Sequence, residues 1–522
     1  MFCFETNDGF LFLSSPDNKI CEINLKMVDK AAKDKIAAIF LSEDVLKIGY
    51  NIKKEIFNLQ NFNIDLKGEI FDILIAIYLL SPGKRQYPQL DLSEFFEIYK
   101  NLRQQIKNNG LEFVFNKIEM PLIKVLAKME KRGISLDVKF LDKIKNKVKI
   151  DLEKLKKEIY EIAGQEFNLN STKQLKTILF DKLKLNEKLR LRRTKTGIST
   201  AASELVKMRD LHPIINLIIE YRELFKLYST YIEALPRLIN PETKKIHTTF
   251  NQTITATGRL SSSEPNLQNI PLRGDLGREI RKAFIADKGY AIVSADYSQI
   301  ELRIAAHLAN DEEMIEAFNC RKDFHTHTAK EIFGVPEAKV TAEMRRMAKA
   351  VNFGVLYGIG ARSLAESIGK TIEEAKSFIE QYFAVYQGIY KYLEETKALA
   401  HSLGYVETLF GRRRYLPEIN SSIEQVRAMA ERMAINHPIQ GTAADLIKMA
   451  MIEIDKEIER RGWDDFVKML LQVHDELVFE VSQKFIEKAV KMIKEKMENV
   501  YKLRVPLEAE IKIGKNWGEL TP

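Results

Sequence analysis

Cysteine is scarce in this chain: Cys3, Cys21 and Cys320 are the only three among 522 residues. They lie far apart, without the paired spacing of a zinc site, and an odd, sparse count suits a reducing cytosol. Long apolar runs are missing as well. The longest, around Ile70 to Leu80, is interrupted by Asp72 and is too short to span a bilayer. The opening MFCFETNDGF has no basic start leading into an apolar stretch, so no signal peptide is expected. Repeats and low-complexity tracts are absent. A soluble intracellular protein without membrane association is the expectation.

What is present is ordinary in bulk. The apolar fraction of 45% is that of a folded protein. A length of 522 residues exceeds what one core can organise, so three or four structural units are expected. Lys and Arg number 81 against 73 acids, a net charge of +8. That excess suits a polyanion such as nucleic acid, yet by itself it decides little.

Residues 1 to about 80 mix strand-like runs (GFLFLS, AAIFLS) with helical patterns, as an α/β unit does. SPGKRQYPQ at 81–89 reads as a loop, and NNG at 108–110 as a boundary. From Ile118 the pattern turns helical. Leu141, Ile144, Val148, Leu152, Leu155, Ile159 and Ile162 step by three and four onto one face, with Gly164 as the stop. Such a helix suits an arm or a bundle member equally. The basic run 182–196, KLKLNEKLRLRRTKT, is a solvated face by default, or a phosphate grip.

The chemistry lies beyond residue 246. AIVSAD (291–296) is an apolar strand ending in an acid, and helix-forming SQIELRIAAHL follows. Side chains at strand ends project into the crevice where ligands bind. LLQV (470–473) and ELVFEV (476–481) flank His474-Asp475, a hairpin with an acid at its turn. Two carboxylates on adjacent strand ends can bridge two Mg²⁺ ions roughly 4 Å apart. Arg345, Lys349, Phe353 and Tyr357 recur every four residues, a slowly drifting stripe on one helix that runs into the Gly-rich VLYGIG.

DYSQIELR (296–303), RRMAKAVNFGVLYG (345–358) and QVHDELVFEV (472–481) resemble, in this order, the three core motifs of bacterial DNA polymerase I (family A) in its large-fragment form. TATGRLSSSEPNLQNIP (255–271) and ERMAINHPIQGTAAD (431–445) match two further signatures. The resemblance covers residue 118 to the end. It implies an α/β multidomain fold, a shortened RNase H-like exonuclease-type domain followed by a right-hand polymerase. The parts would be an exonuclease-like domain at 1–110, thumb at 118–245, first palm part at 246–310, fingers at 311–425 and second palm part at 426–522.

The resemblance also implies roles. Asp296 and Asp475 hold two Mg²⁺ ions, with Mn²⁺ as a substitute, and Tyr297 is a third metal contact; with Lys349 the aspartates form the catalytic set. Arg345, Lys349 and His325 contact the incoming triphosphate, Phe353 and Tyr357 its sugar and base. Gln299 and Glu301 complete the nucleotide site, Glu301 standing where the family's gate excludes a ribose 2′-hydroxyl. Arg259 and Gln440 test the minor groove, where every Watson–Crick pair offers acceptors. Arg432, Asn436, Gln268, Asn269 and Arg273 line the primer–template, and His474 places the primer end. Asn436 and Gln440 could instead brace their own helix. Glu476 is secondary, tuning or bracing the metal site, and His327 is structural.

The implied partners are primer–template DNA and dNTPs, handled by a monomer in the nucleoid-bearing cytoplasm, with room for a separate 5′ flap nuclease because the family's 5′ nuclease domain is missing from the sequence. Proofreading is expected to be lost. The family exonuclease begins with Asp-x-Glu, and Cys3-Phe4-Glu5 stands in that place. Glu55 in GYNIKKE replaces the aspartate of the second motif. Tyr87 and Asp91 have the spacing of the third, but Pro88 opposes a helix there and the position is too early. Two rivals remain: a single-subunit RNA polymerase, against which Glu301 speaks, and a non-catalytic nucleic-acid-binding module, which needs none of Asp296, Asp475, Arg345 and Lys349.

Overall fold

A computed structural model describes every residue except 18, 85, 188, 190, 195, 196, 272, 273, 521 and 522, and the side chain of 194. The chain forms two compact units. The first comprises Met1–Arg132, Thr248–Ser263 and Val293–Ile513; the second comprises Gly133–His247, Glu264–Ile292 and Gly514–Pro522.

The first unit opens with a five-stranded sheet. Phe2–Asn7 pairs antiparallel with Phe10–Ser14, which pairs antiparallel with Ile20–Asn24; on its other edge Phe2–Asn7 runs parallel to Lys47–Gly49 and, beyond it, Ile70–Asp72. GFLFLS is a strand as expected, but AAIFLS is not. It ends the helix Lys30–Leu41, started by Asp29 accepting from Ala32 N at 2.7 Å and anchored by buried Ile36 and Phe40, one turn apart. Five apolar residues in a row satisfied a helix face as readily as a strand.

Three acids of this region, Glu55, Asp72 and Asp91, serve the fold. Cys3 is buried, its thiol pushed up to about 12 by burial, and Glu5 is exposed. Buried Glu55 accepts from Thr6 N at 2.8 Å and from Thr6 Oγ1; burial drives its carboxyl to about 7 against those bonds. Asp72, with 1% exposure, accepts from Ile52 N at 2.6 Å and Ile75 N at 3.1 Å, starting two helices at once. Asp91 caps the 3₁₀ turn Leu92–Glu94, and Tyr87 donates to Thr253 O.

Farther on, a four-stranded sheet runs in the order Val467–Val473, Glu476–Ser482, Tyr290–Tyr297, Ala509–Gly514. The helix Glu424–Arg461 buries one charged core. Arg412 donates to Asp445 (Nε–Oδ1 2.9 Å) and to Glu119, and Lys448 donates to Glu119 at 2.6 Å; all four are at most 2% exposed. Burial alone would raise the Glu119 carboxyl, but Lys448 and Arg412 hold it down at about 2. Removing one partner of such a set strands a buried charge. Arg412→Met should therefore destabilise the protein by about 3–5 kcal/mol, read as a lower urea midpoint with unchanged slope. A loss under 1 kcal/mol would mean the charges relax into solvent.

The second unit is built on the helix Val138–Ala163. Asp137 caps it, accepting from Phe140 N at 2.9 Å, and Gly164 ends it at φ 66°. The expected face is buried, with one exception: Ile162 is 38% exposed and Ala163 takes its place, because the stripe drifts round the helix. The helix packs along Pro213–Leu227, as a bundle member does. Part of the basic run 182–196 lies outside the described residues; Lys182 donates to Ala163 O at 2.7 Å, a cation at a helix C-terminus.

Candidate active site

Ala291 to Ala295 are buried in the sheet and bring the chain to Asp296, which is open to solvent. Gln299, left-handed at φ 52°, then turns it into the helix Ile300–Ala309. On the neighbouring strand pair, Val473 sits opposite Glu476, so His474-Asp475 is a two-residue turn, with His474 at φ 56° as such turns require. Tyr297 N donates to Asp475 O at 3.2 Å, which fastens the acid-ended strand to the acid-tipped hairpin.

The electrostatics fit a cation. The cleft raises the Asp296 carboxyl to about 7, first through desolvation, then through the charges of Glu476, Asp475 and Glu510. Burial also raises Asp475, opposed by Arg259. Glu476 accepts from Ser294 Oγ at 2.5 Å and is thereby braced. Among the described residues no cluster of three or more His, Cys, Asp or Glu side chains could hold a metal. Two carboxylates suffice for Mg²⁺, which keeps water and takes the remaining oxygens from substrate phosphate. Tyr297 has its phenol turned inward, donating to Met497 O at 2.7 Å, so a metal contact from it would come from its main chain.

Beside Asp475 opens a cavity of about 250 Å³. Gln299, Ile300, Glu301 and Asp475 line one side; His325, Arg345, Lys349 and Phe353 line the other, and Asp296 lies outside the lining. The helix Ala342–Leu356 carries the cationic–aromatic stripe, and Tyr357 caps its end. Arg345 is held in a fork by Asp323 (Nε–Oδ1 3.2 Å, Nη2–Oδ2 2.6 Å). Asp323 also starts the helix Phe324–Phe333; these bonds outweigh its burial and set its carboxyl at about 2. His325 is buried, with its pKa lowered to about 4 by desolvation and then by Lys349. His327 is buried next to it, its Nε2 without a partner among the described residues, and it does not line the cavity.

Glu301 is clamped from two directions. Tyr357 OH donates to its Oε2 and Arg259 Nη2 to its Oε1 at 2.9 Å. Arg259 thus reaches the Glu301 edge of the cavity, a contact that its place in the sequence motif does not reveal. Arg432, Asn436 and Gln440 lie four apart on the helix Glu424–Arg461. Among the described residues, Asn436 Oδ1 has no partner and no hydrogen bond braces Gln440. Two glycines make room for side chains at this stretch: a Cβ on Gly358 would come within 2.7 Å of the Ile435 side chain, and one on Gly441 within 2.5 Å of the Thr408 side chain. His474 is exposed at the hairpin tip. Gln268 and Asn269 belong to the second unit, in a turn folded on Asn266 Oδ1, and Arg273 lies outside the described residues.

Residues 138–519 match the model of DNA polymerase family A, and the chain belongs to that family. It is similar to bacterial DNA polymerase I. The thermostable DNA polymerase I of Thermus filiformis is 49% identical over 466 residues, 86% of this chain and 55% of that protein. DNA polymerase I of Geobacillus stearothermophilus is 42% identical over 525 residues, 93% of this chain and 59% of that protein. The chain thus spans little more than half the length of these relatives. The polymerase domain of Pol1 from M. smegmatis, solved with DNA primer-template and dNTP, superposes with a TM-score of 0.92 at 36% identity, over 99% of this chain and 95% of that one. Among the described residues no helix is long and apolar enough to cross a membrane.

Proposed function

We propose that this chain is a DNA-directed DNA polymerase extending a primer 5′ to 3′ from dNTPs by two-metal-ion nucleotidyl transfer. One observation carries the reading: a single cavity joins Asp475 and Glu301 to His325, Arg345, Lys349 and Phe353. Arg345 and Lys349 would neutralise the triphosphate, a forked guanidinium engaging two oxygens at once. Phe353 would flank the base and sugar, and Glu301 would close the space beside the sugar 2′ carbon. Arg259 and Gln440 would offer donors to minor-groove acceptors shared by all pairs. Arg432, Asn436, Gln268, Asn269, Arg273 and His474 would hold the primer–template. Asp296 and Asp475 would hold two Mg²⁺ ions, whose bound charge acidifies the primer 3′-hydroxyl and offsets charge growing on the leaving pyrophosphate.

In this reading the division is exonuclease-like domain 1–110, thumb 118–245, palm 246–310 and 426–522, and fingers 311–425. The chain works as a cytoplasmic monomer in repair, gap filling or replication. Primer extension with dNTPs and then rNTPs tests it. Extension with neither supports the binding-module rival, and equal use of rNTPs supports the RNA polymerase.

Proofreading is proposed to be absent, because Cys3 supplies no ligand and Glu55 and Asp72 are committed to Thr6 and to helix caps. A labelled mismatched primer with Mg²⁺ or Mn²⁺ and no dNTPs should stay intact. Shortening that disappears in Glu5→Gln or Glu55→Gln would overturn this.

A further inference from the structure

His325 has two ring nitrogens, and the side chains behind it decide which one carries the proton. Its Nδ1 lies 3.1 Å from Nδ2 of Asn352, which has no exposed surface and stands on the same helix as Arg345 and Lys349. Asn352 Oδ1 lies 3.1 Å from Thr328 Oγ1, whose one proton it shares with Phe324 O at 2.9 Å, and Thr328 Oγ1 lies 3.0 Å from Tyr386 OH. Thr328 and Tyr386 are likewise fully buried. The row therefore runs from Tyr386 through Thr328 and Asn352 to the ring, away from water. With the amide nitrogen toward the ring, Asn352 donates, Nδ1 must accept, and the only ring N–H left is at Nε2.

The opposite amide orientation would put the proton on Nδ1 and leave a lone pair on Nε2. In a cavity lined by Arg345 and Lys349 for an anion, that lone pair would repel the ligand. Lys349 and Arg345 disfavour a charged ring and Asp323 favours it; these are the charged groups that bear on His325, and Tyr386 is the titratable group at the far end of the row.

We infer that Asn352 is a positioning residue that holds His325 as the neutral Nε2–H tautomer, so that the ring offers the triphosphate a hydrogen-bond donor. The inference rests on the triphosphate reading of the cavity. It separates His325 from the two cations: it selects by direction, adding no charge that would retain pyrophosphate. Neither the stripe Arg345–Lys349–Phe353–Tyr357 nor the pair of histidines in DFHTHTA shows this role, because Asn352 lies off the stripe by one residue.

The direct test is ¹⁵N NMR of the intact, nucleotide-free protein with labelled histidine, His325 being assigned by its absence in His325→Gln. A neutral ring with Nδ1 as the bare nitrogen at pH 7 is expected. A bare Nε2 overturns the inference even if primer extension succeeds, and failed extension with a bare Nδ1 overturns only the triphosphate reading. The second arm compares KM for dNTP between pH 6.5 and 8.5 in wild type and in Asn352→Asp. The new carboxylate accepts from Nδ1–H, raises the ring pKa, and leaves Nε2 without its proton once the ring is neutral. KM of the variant should therefore rise roughly tenfold more than that of wild type toward pH 8.5, the worth of one charge-assisted hydrogen bond. The excess should vanish in the His325→Gln background. If Asn352→Asp follows the wild-type profile, or keeps its excess without His325, Asn352 is not acting through the ring. Should Asn352→Asp fail to fold, the NMR arm decides alone.

Discussion

Asp296→Asn and Asp475→Asn should each reduce Mg²⁺-dependent primer extension to below a tenth of wild-type turnover, with duplex binding largely kept. The amide matches the carboxylate in shape but carries no charge, and a divalent cation held by two carboxylates loses half its anionic support. The metal-free protein provides the control against misfolding. Asp296 is crowded by Glu476, Asp475 and Glu510, and its carboxyl is raised to about 7. Between the ordinary carboxylate range and that value the folded state binds a proton the unfolded state lacks, so this group makes stability fall as pH rises, levelling off above about 7. Asp296→Asn should flatten that slope and melt no lower than wild type at pH 8 without metal. A variant that loses extension and also melts well below wild type has lost its fold instead, and one that retains a tenth of turnover refutes the two-metal assignment.

The same residues show how far the sequence could be read. Asp296 and Asp475 were legible because each follows a short apolar run at a strand end, beside a helix start or a hairpin turn, where local pattern and local structure coincide. The helix ending at Gly164 was legible for the matching reason at period 3.6, up to Ile162, where the drift of a real helix carries the side chain off its face. AAIFLS was misread because five consecutive apolar residues have no period. Contacts at long separation were out of reach. Glu119 meets Arg412 and Lys448 about three hundred positions away, and Arg259 meets Glu301 across 42. Asp323 caps a helix, and nothing in the spacing announces that its carboxylate also holds Arg345. Burial turns these side chains from solvated charges into partners, and burial is a property of the assembled fold.

Sugar selection is expected to divide between two residues with separable effects. Glu301 follows Asp296 by five positions, on the first turn of the helix Ile300–Ala309, and its side chain is only 7% exposed because Tyr357 and Arg259 both donate to it. Held by two donors, it cannot swing aside for a 2′-hydroxyl. Glu301→Ala opens that space and should admit ribonucleotides far better, while dNTP use falls less. Glu301→Gln keeps the volume and one acceptor, so it should still exclude them, which separates shape from charge. Phe353 lies across the cavity, its ring centroid 5.9 Å from that of His325 and 6.5 Å from that of Tyr357. Lacking a hydroxyl, it offers nothing in place of the contact that a normal 3′-hydroxyl makes with its own triphosphate, so dideoxynucleotides should be disfavoured. Phe353→Tyr supplies that hydroxyl and should relax the discrimination by about 3–4 kcal/mol, on the order of 10²–10³-fold in relative kcat/KM. Single-nucleotide extension with each analogue in competition with its dNTP gives both ratios. If Glu301→Ala leaves ribonucleotides excluded, the gate lies elsewhere and the clamp from Tyr357 and Arg259 serves only the fold; if Phe353→Tyr leaves the dideoxy ratio unchanged, the ring does not face the sugar.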